Sequence, residues 1–337
     1  MSGVKCTSDK TGKRRAGLFC TCLLSLALLT GCGAKSSIIL PYDKDTTNNS
    51  FRFEANDSNN TAKAFAEDLC IPEGDFTPVD EVASGADSYG SAAFFDVKNK
   101  KTMYSKNVYS RLYPASLTKV MTALVAIENC DMDKILTADE SCVLVESDVQ
   151  KIGLKAGDTM TLDQALHILL IYSANDVANL IAVNVGGSIE GYATMMNEKA
   201  KSLGATNSNF VNPSGLHDDN HFTTAYDMYL MFNEAIKYGK FIEIIGMTEY
   251  STVYKDASGE SVEFNCSSTN RYLKGQVTAP TQSTVIGGKT GTTMLAGNNL
   301  ILLSKDSSGN SYISVVMRAN GADVLYDKMN SMLQLLS

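Results

Sequence analysis

Pro114-Ala115-Ser116-Leu117-Thr118-Lys119 is the stretch whose reading decides the fold. A serine and a lysine three residues apart share a face only in a helix, where they stand one turn apart. The residues that follow supply that helix. Val120, Met121, Leu124, Val125 and Ile127 recur at helical spacing, with no Gly or Pro before Asn129. Ser116 is therefore expected at a helix N-terminus with Lys119 one turn behind it. A serine hydroxyl is a weak nucleophile until a base takes its proton. A buried lysine disfavours its charged form and can be that base. The first N–H groups of a helix lack intrahelical partners and can stabilise an oxyanion. The pattern is short, and Ser2 and Lys5 repeat it, so its meaning depends on partners downstream.

Two later stretches supply them. Ser173-Ala174-Asn175 falls between two segments of helical spacing, where a loop can present a hydroxyl and an amide. Lys289-Thr290-Gly291 follows Val285 to Gly288 and precedes Thr292, which reads as an edge strand; a glycine there lets a ligand backbone approach closely. Each piece recurs elsewhere: Ser-x-Asn begins at Ser58, Ser268 and Ser308, and Lys-Thr-Gly at Lys10. The information lies in their order, from Ser-x-x-Lys on a helix to Ser-x-Asn on a loop to Lys-Thr-Gly on a late strand.

Around these motifs the hydrophobic period changes twice. Ser91 to Val97 and Lys101 to Asn107 are strand-like runs joined as a hairpin by Lys98-Asn99-Lys100. Leu162 to Tyr172, Asp176 to Val185, Ile189 to Leu203 and Thr224 to Tyr238 have helical spacing, and Thr161 with Gln164 forms a capping box. Strand-like runs return at Glu249 to Tyr254, Val262 to Phe264, Asn299 to Leu303 and Tyr312 to Met317. A helix from about Ala322 to Leu335 closes the chain. Strands on both sides of a helical insert predict an α/β (α+β) fold. One antiparallel sheet is built from both termini, helices flank it, and a helical subdomain leaves a cleft at Ser116.

Residues 88 to 335 resemble the serine-type D-alanyl-D-alanine carboxypeptidases, the low-molecular-mass penicillin-binding proteins. The resemblance rests on the hexapeptide at 114–119, Ser173-Ala174-Asn175-Asp176, Asn212-Pro213-Ser214-Gly215-Leu216 and Gly288-Lys289-Thr290-Gly291-Thr292. It implies a β-lactamase/DD-peptidase-like fold, peptidoglycan stem peptides as substrates, β-lactams as covalent inhibitors, and neither cofactor nor metal. It implies that Ser116 attacks the carbonyl between the two terminal D-alanines. Lys119, neutral at rest, takes the serine proton, and Ser173 relays a proton to the leaving amine. Asn175 orients Lys119 and binds the substrate amide. Lys289 and Thr290 hold the terminal carboxylate, Gly291 admits the substrate backbone, and the N–H groups of Ser116 and Thr292 form the oxyanion hole. Asn212 to Leu216 is read as a structural turn.

Two relatives in chemistry remain beside this reading. A class A β-lactamase uses an additional Glu for deacylation, and here no Glu occurs between Glu198 and Glu234. A non-turnover sensor would acylate without release. The chain departs from the carboxypeptidases at one point. Many have an Arg near the start of the last helix, and Ala322 to Leu336 contains none, Arg318 lying before it.

The N-terminus gives an address. Lys10, Lys13, Arg14 and Arg15 precede an apolar run, Ala16 to Leu29, that ends in Leu29-Thr30-Gly31-Cys32. This resembles a bacterial lipobox, so residues 1–31 are expected to be a lipoprotein signal and Cys32 the lipidated residue. Residues 32–87 then form a flexible tether, with a short helix around Ala62 to Leu69, and 88–337 the catalytic domain, outside the cytoplasm on a lipid anchor. Loss of 1–31 removes five of 29 basic and one of 37 acidic residues, leaving 24 and 36 and a formal net charge of −12. That charge argues against nucleic acid as a partner, and membrane attachment rests on the Cys32 lipid. Cys70, Cys130, Cys142 and Cys266 then remain, as disulfides of three permitted connectivities or as free thiols. His217-Asp218-Asp219-Asn220-His221 lacks the helical His-Glu-x-x-His form of a zinc site and reads as a polar loop. No Gly-x-Ser-x-Gly elbow and no Gly-rich phosphate loop occur.

Overall fold

A computed structural model of the chain describes residues 66–77 and 88–336. Two stretches of alternating and continuous apolar character make the main sheet. Ser91–Asp96 (β1) and Lys101–Lys106 (β2) form the expected hairpin. Three late strands, Ser283–Thr293 (β7), Gly297–Asp306 (β8) and Ser311–Ala319 (β9), complete a five-stranded antiparallel sheet of order β2-β1-β9-β8-β7. Strand β1 is buried along its whole length because both faces are covered. Ala93 and Phe95 turn to a core shared with the central helices, while Ala92 and Phe94 turn to Tyr326, Met329 and Leu333 of the closing helix, Ala322–Leu333. Strand β7 is left at the edge, as a ligand-binding strand requires.

The helix Thr118–Asn129 runs through the centre of the molecule and is buried from Thr118 to Ala126. Helices Asn175–Gly186, Ile189–Ser202 and Ala225–Ala235 surround it at the positions the periodicity predicts. The capping box at Thr161 is present, with Gln164 N–H donating to Thr161 Oγ1 at 3.1 Å and Thr161 N–H to Gln164 Oε1 at 2.9 Å. The helix it starts, Leu162–His167, widens into a π-turn over Ile168–Tyr172, which ends at Ser173 in the left-handed region, φ +71°.

Two expectations are corrected. The runs at 249 and 262 do not join the main sheet. As Glu249–Lys255 (β5) and Ser261–Ser267 (β6) they extend a second, four-stranded sheet whose other members, Ile135–Thr137 (β3) and Thr159–Thr161 (β4), are too short to carry a periodic signal. A short helix, Gly239–Ile245, also lies outside the expected set. Residues 66–77, expected within the tether, pack on the sheet instead. Cys70 is fully buried, its N–H donates to Tyr229 Oη at 3.0 Å, and Phe76 bridges to Ser105 on the edge strand β2. Two buried small side chains, Cys70 and Pro72, and one bridge are too local a signal to stand out in a polar stretch. All four remaining cysteines are free thiols. Among the described residues no helix is long and apolar enough to cross a membrane. Cys32 and the signal lie outside the described residues.

Candidate active site

The turn that carries Ser116 is held under strain. Ala115–Leu117 is a 3-10 turn, and Ala115 sits at φ +48°, a region in which a Cβ is disfavoured. The Asn212–Leu216 loop presses on it: a Cβ on Gly215 would lie 1.8 Å from the Ala115 carbonyl oxygen. Thr122 Oγ1 donates to the Pro213 carbonyl at 2.6 Å, and Thr118 Oγ1 lies 2.8 Å from His221 Nε2. His221 is buried, and burial first, then the nearby lysine, lowers its pKa to about 4, so a neutral ring joins loop to helix. His217 is exposed beside Asp219, and the two histidines of this loop do not converge.

Lys119 points from the first turn of the helix toward Ser116. Its Nζ lies 2.9 Å from Ser116 Oγ, 2.7 Å from Asn175 Oδ1 and 2.6 Å from the Ser214 carbonyl oxygen. The last two atoms can only accept hydrogen bonds. A neutral amine thus spends both N–H groups on them and turns its lone pair to Ser116. The lysine is fully buried. Its pKa falls well below the ordinary value, through burial first and the charge of Lys289 second, with Asp176 opposing.

Ser173 and Lys289 face Lys119 across the cleft. Lys289 is buried on β7 and donates to Ser173 Oγ at 2.9 Å and to the Thr290 carbonyl at 2.8 Å; burial pushes its pKa down to about 7. Asp176, the next residue after Asn175, is fully buried and forms no ion pair among the described residues. Its carboxylate accepts N–H groups of Ile152, Gly153, Leu154 and Val177 instead, at 2.8 to 3.2 Å. This clasps the 150–154 loop, and the Gln150 carbonyl accepts Asn175 N–H at 2.8 Å.

Above these groups opens a cavity of about 320 Å³ lined by Ser116, Ser173, Thr290, Gly291 and Thr292. Gly291 has a steric reason: a Cβ there would lie 2.9 Å from both the Pro114 carbonyl oxygen and Ser116 N. Every residue expected at the site, Cys32 apart, is gathered here: Ser116, Ser173, Thr290, Gly291 and Thr292 on the cavity wall, and Lys119, Asn175 and Lys289 beneath it.

Four contributors escaped the sequence reading. Gln150 and Thr269 line the cavity, and Thr269 Oγ1 lies 2.5 Å from Thr290 Oγ1. The loop read as a structural turn also supplies the Ser214 carbonyl to Lys119. Arg271 lines the same cavity as Thr290. Its guanidinium meets Asp323 at 3.1 Å, an exposed ion pair that a ligand can displace, and lies over Tyr326. The only hint was an isolated Arg in an unpatterned stretch. No carboxylate lines the cavity among the described residues, so the additional Glu of class A β-lactamases has no counterpart there.

The sequence pattern of the D-alanyl-D-alanine carboxypeptidase family matches residues 80–321. D-alanyl-D-alanine carboxypeptidase DacF of Bacillus subtilis is 35% identical over 192 residues, covering 55% of this chain and 47% of its own length. DacC of Escherichia coli is 30% identical over 249 residues, 71% of this chain and 58% of its own length. The chain thus spans about half the length of these curated relatives. The crystal structure of the Streptomyces K15 DD-transpeptidase shares the fold, with a TM-score of 0.68 at 21% identity over 75% of this chain and 98% of that one.

Proposed function

The chain belongs to the D-alanyl-D-alanine carboxypeptidase family, and from that premise we propose that it is a serine peptidase removing the terminal D-alanine of peptidoglycan stem peptides. The observation that carries the reading is the placement of Lys119 Nζ between two obligate acceptors and Ser116 Oγ. In this reading Lys119 takes the Ser116 proton as Oγ attacks the carbonyl between the two D-alanines. The oxyanion rests on the N–H groups of Ser116 and Thr292, each donor contributing about 3 kcal/mol. Ser173 passes the proton from Lys119 to the leaving nitrogen, and the terminal D-alanine departs. Lys289, Thr290 and Arg271 hold its carboxylate, Arg271 in exchange for Asp323. Asn175 binds the amide of the acyl side. Water then enters, gives a proton to Lys119 and attacks the acyl carbon; the ester bond to Ser116 Oγ breaks, Lys119 returns the proton to Oγ, and the shortened peptide leaves with a new carboxyl end. A β-lactam acylates Ser116 by the same route.

Ser116→Ala is expected to abolish both covalent β-lactam labelling and D-alanine release. Full labelling of that variant would refute the assignment. Wild-type protein should release D-alanine at a steady rate; a single stoichiometric burst would make it a sensor. We further propose that it works outside the cytoplasm, held by lipid on Cys32, a reading that rests on Leu29 to Cys32 behind the apolar run. Cys32→Ala should then incorporate no radiolabelled fatty acid in cells, and continued incorporation would overturn the anchor.

A further inference from the structure

A second cavity, of about 330 Å³, lies beyond the nucleophile turn, lined by Arg111, Tyr113, Asp219, Phe222, Leu295 and Arg318 among others. Tyr113 stands three residues before Ser116 and Leu295 three residues after Thr292, so two chain segments that line the catalytic cavity continue into the wall of this one. The polarity of the cleft gives the connection. Lys289, Thr290 and Arg271 lie on the leaving-group side and Thr292 at the reacting carbonyl. The acyl arm of a substrate lying along the edge of β7 must therefore run past Thr292 to the hairpin tip. There Met294 is 99% exposed and Leu295 55%.

The cations in this cavity are unusual in two respects. Arg318 has φ +57°, rare for a long side chain, and the conformation is held by buried Asn299, whose Oδ1 accepts Arg318 N–H at 2.7 Å. The hairpin closes against this residue: a Cβ on Gly297 would meet the Ala319 carbonyl oxygen at 2.9 Å and Arg318 at 3.3 Å. Arg111 lies 4.6 Å over the Phe222 ring and donates one bond, at 3.3 Å, to Asn207. Neither guanidinium forms an ion pair among the described residues. The one carboxylate of the cavity, Asp219, is exposed and faces His217 and Tyr113.

We propose that this cavity is a subsite for a carboxylate on the acyl arm of the stem peptide, received by Arg318 and Arg111 as charge-assisted pairs. The proposal rests on the peptidase reading above. Two residues of extended chain reach about 7 Å. The carboxylates within that reach of the reacting carbonyl are the side chain of the residue before the scissile dipeptide and the free α-carboxylate of a γ-linked residue one further back.

Three pentapeptides ending in D-Ala-D-Ala separate these sources. One carries γ-D-glutamate followed by lysine, one D-isoglutamine followed by lysine, and one D-isoglutamine followed by meso-diaminopimelate. Arg318→Gln should lower kcat/KM about tenfold, through KM, for whichever carboxylate peptide uses the site. The amidated lysine peptide should change less than twofold, and Arg318→Lys should recover part of the loss. The same comparison by calorimetric titration on Ser116→Ala protein reads the subsite without turnover. If wild-type protein releases D-alanine from none of the peptides, the peptidase reading fails while the titration still decides the subsite. Equal losses for all three peptides, or none for any, would overturn it.

Discussion

Lys119 can act as a base only if it is neutral when substrate arrives, and Lys289 can hold a carboxylate only while it is charged. Burial lowers both pKa values, Lys119 far and Lys289 to about 7. The signs give a bell. Loss of the Lys119 proton raises kcat/KM as pH rises, and loss of the Lys289 proton, with its pKa at about 7, lowers it. Lys119→Arg keeps the charge but cannot surrender a proton, and acylation should drop by about a thousandfold. Lys289→Arg should instead keep acylation and abolish the alkaline fall. Near wild-type acylation by Lys119→Arg would mean that another group takes the serine proton. At this scale the sequence was legible where chemistry has a spacing: Ser116 with Lys119, and Ser173 with Asn175. It was silent on the Ser214 carbonyl, because every residue has one, and on Arg271, which only the fold brings beside Thr290.

Elements carry the second level of control. Strand β7 reaches the nucleophile turn because Gly291 has no side chain, and the turn accepts it because Gly215 and Ala115 interlock behind. Gly291→Ala is expected to push strand and turn apart by enough to slow β-lactam acylation about a hundredfold, with the far-ultraviolet circular dichroism unchanged. Acylation at the wild-type rate would show that the strand yields without disturbing Ser116. The elements around this contact were legible in proportion to their length. The five strands of the main sheet and the longer helices each run for six residues or more. Strands β3 and β4 have three residues each; they pair with each other, and β4 joins β5 only through Thr159 opposite Lys255. The strained φ of Ala115 had no signal, since alanine has no preference for that region and takes it here under pressure from Gly215.

For the whole molecule, strands from both sides of a helical insert correctly gave an antiparallel sheet with helices on both faces. The second sheet was missed because a run of alternating residues does not say which sheet it joins. The burial of Lys119 in that assembly also makes folding a proton-releasing reaction. An unfolded lysine keeps its proton to about pH 10.4, whereas the folded one gives it up well below that value. The unfolded chain then binds more protons than the folded one. Stability therefore rises with pH across the gap, by about 1.4 kcal/mol per pH unit for one such group. Unfolded thiols begin to ionise near 8.5 while Cys70, Cys142 and Cys266 are held up at about 11, which pulls the other way and closes the clean window near pH 8. Below pH 8, wherever folded Lys119 has lost its proton, denaturant unfolding of Lys119→Met should show a slope of stability against pH smaller than wild type by about that amount. Equal slopes would mean that Lys119 stays protonated in the fold. Each unfolding event thus draws a proton from the medium, acid favours that uptake, and the native state loses ground on acidification before any substrate is present.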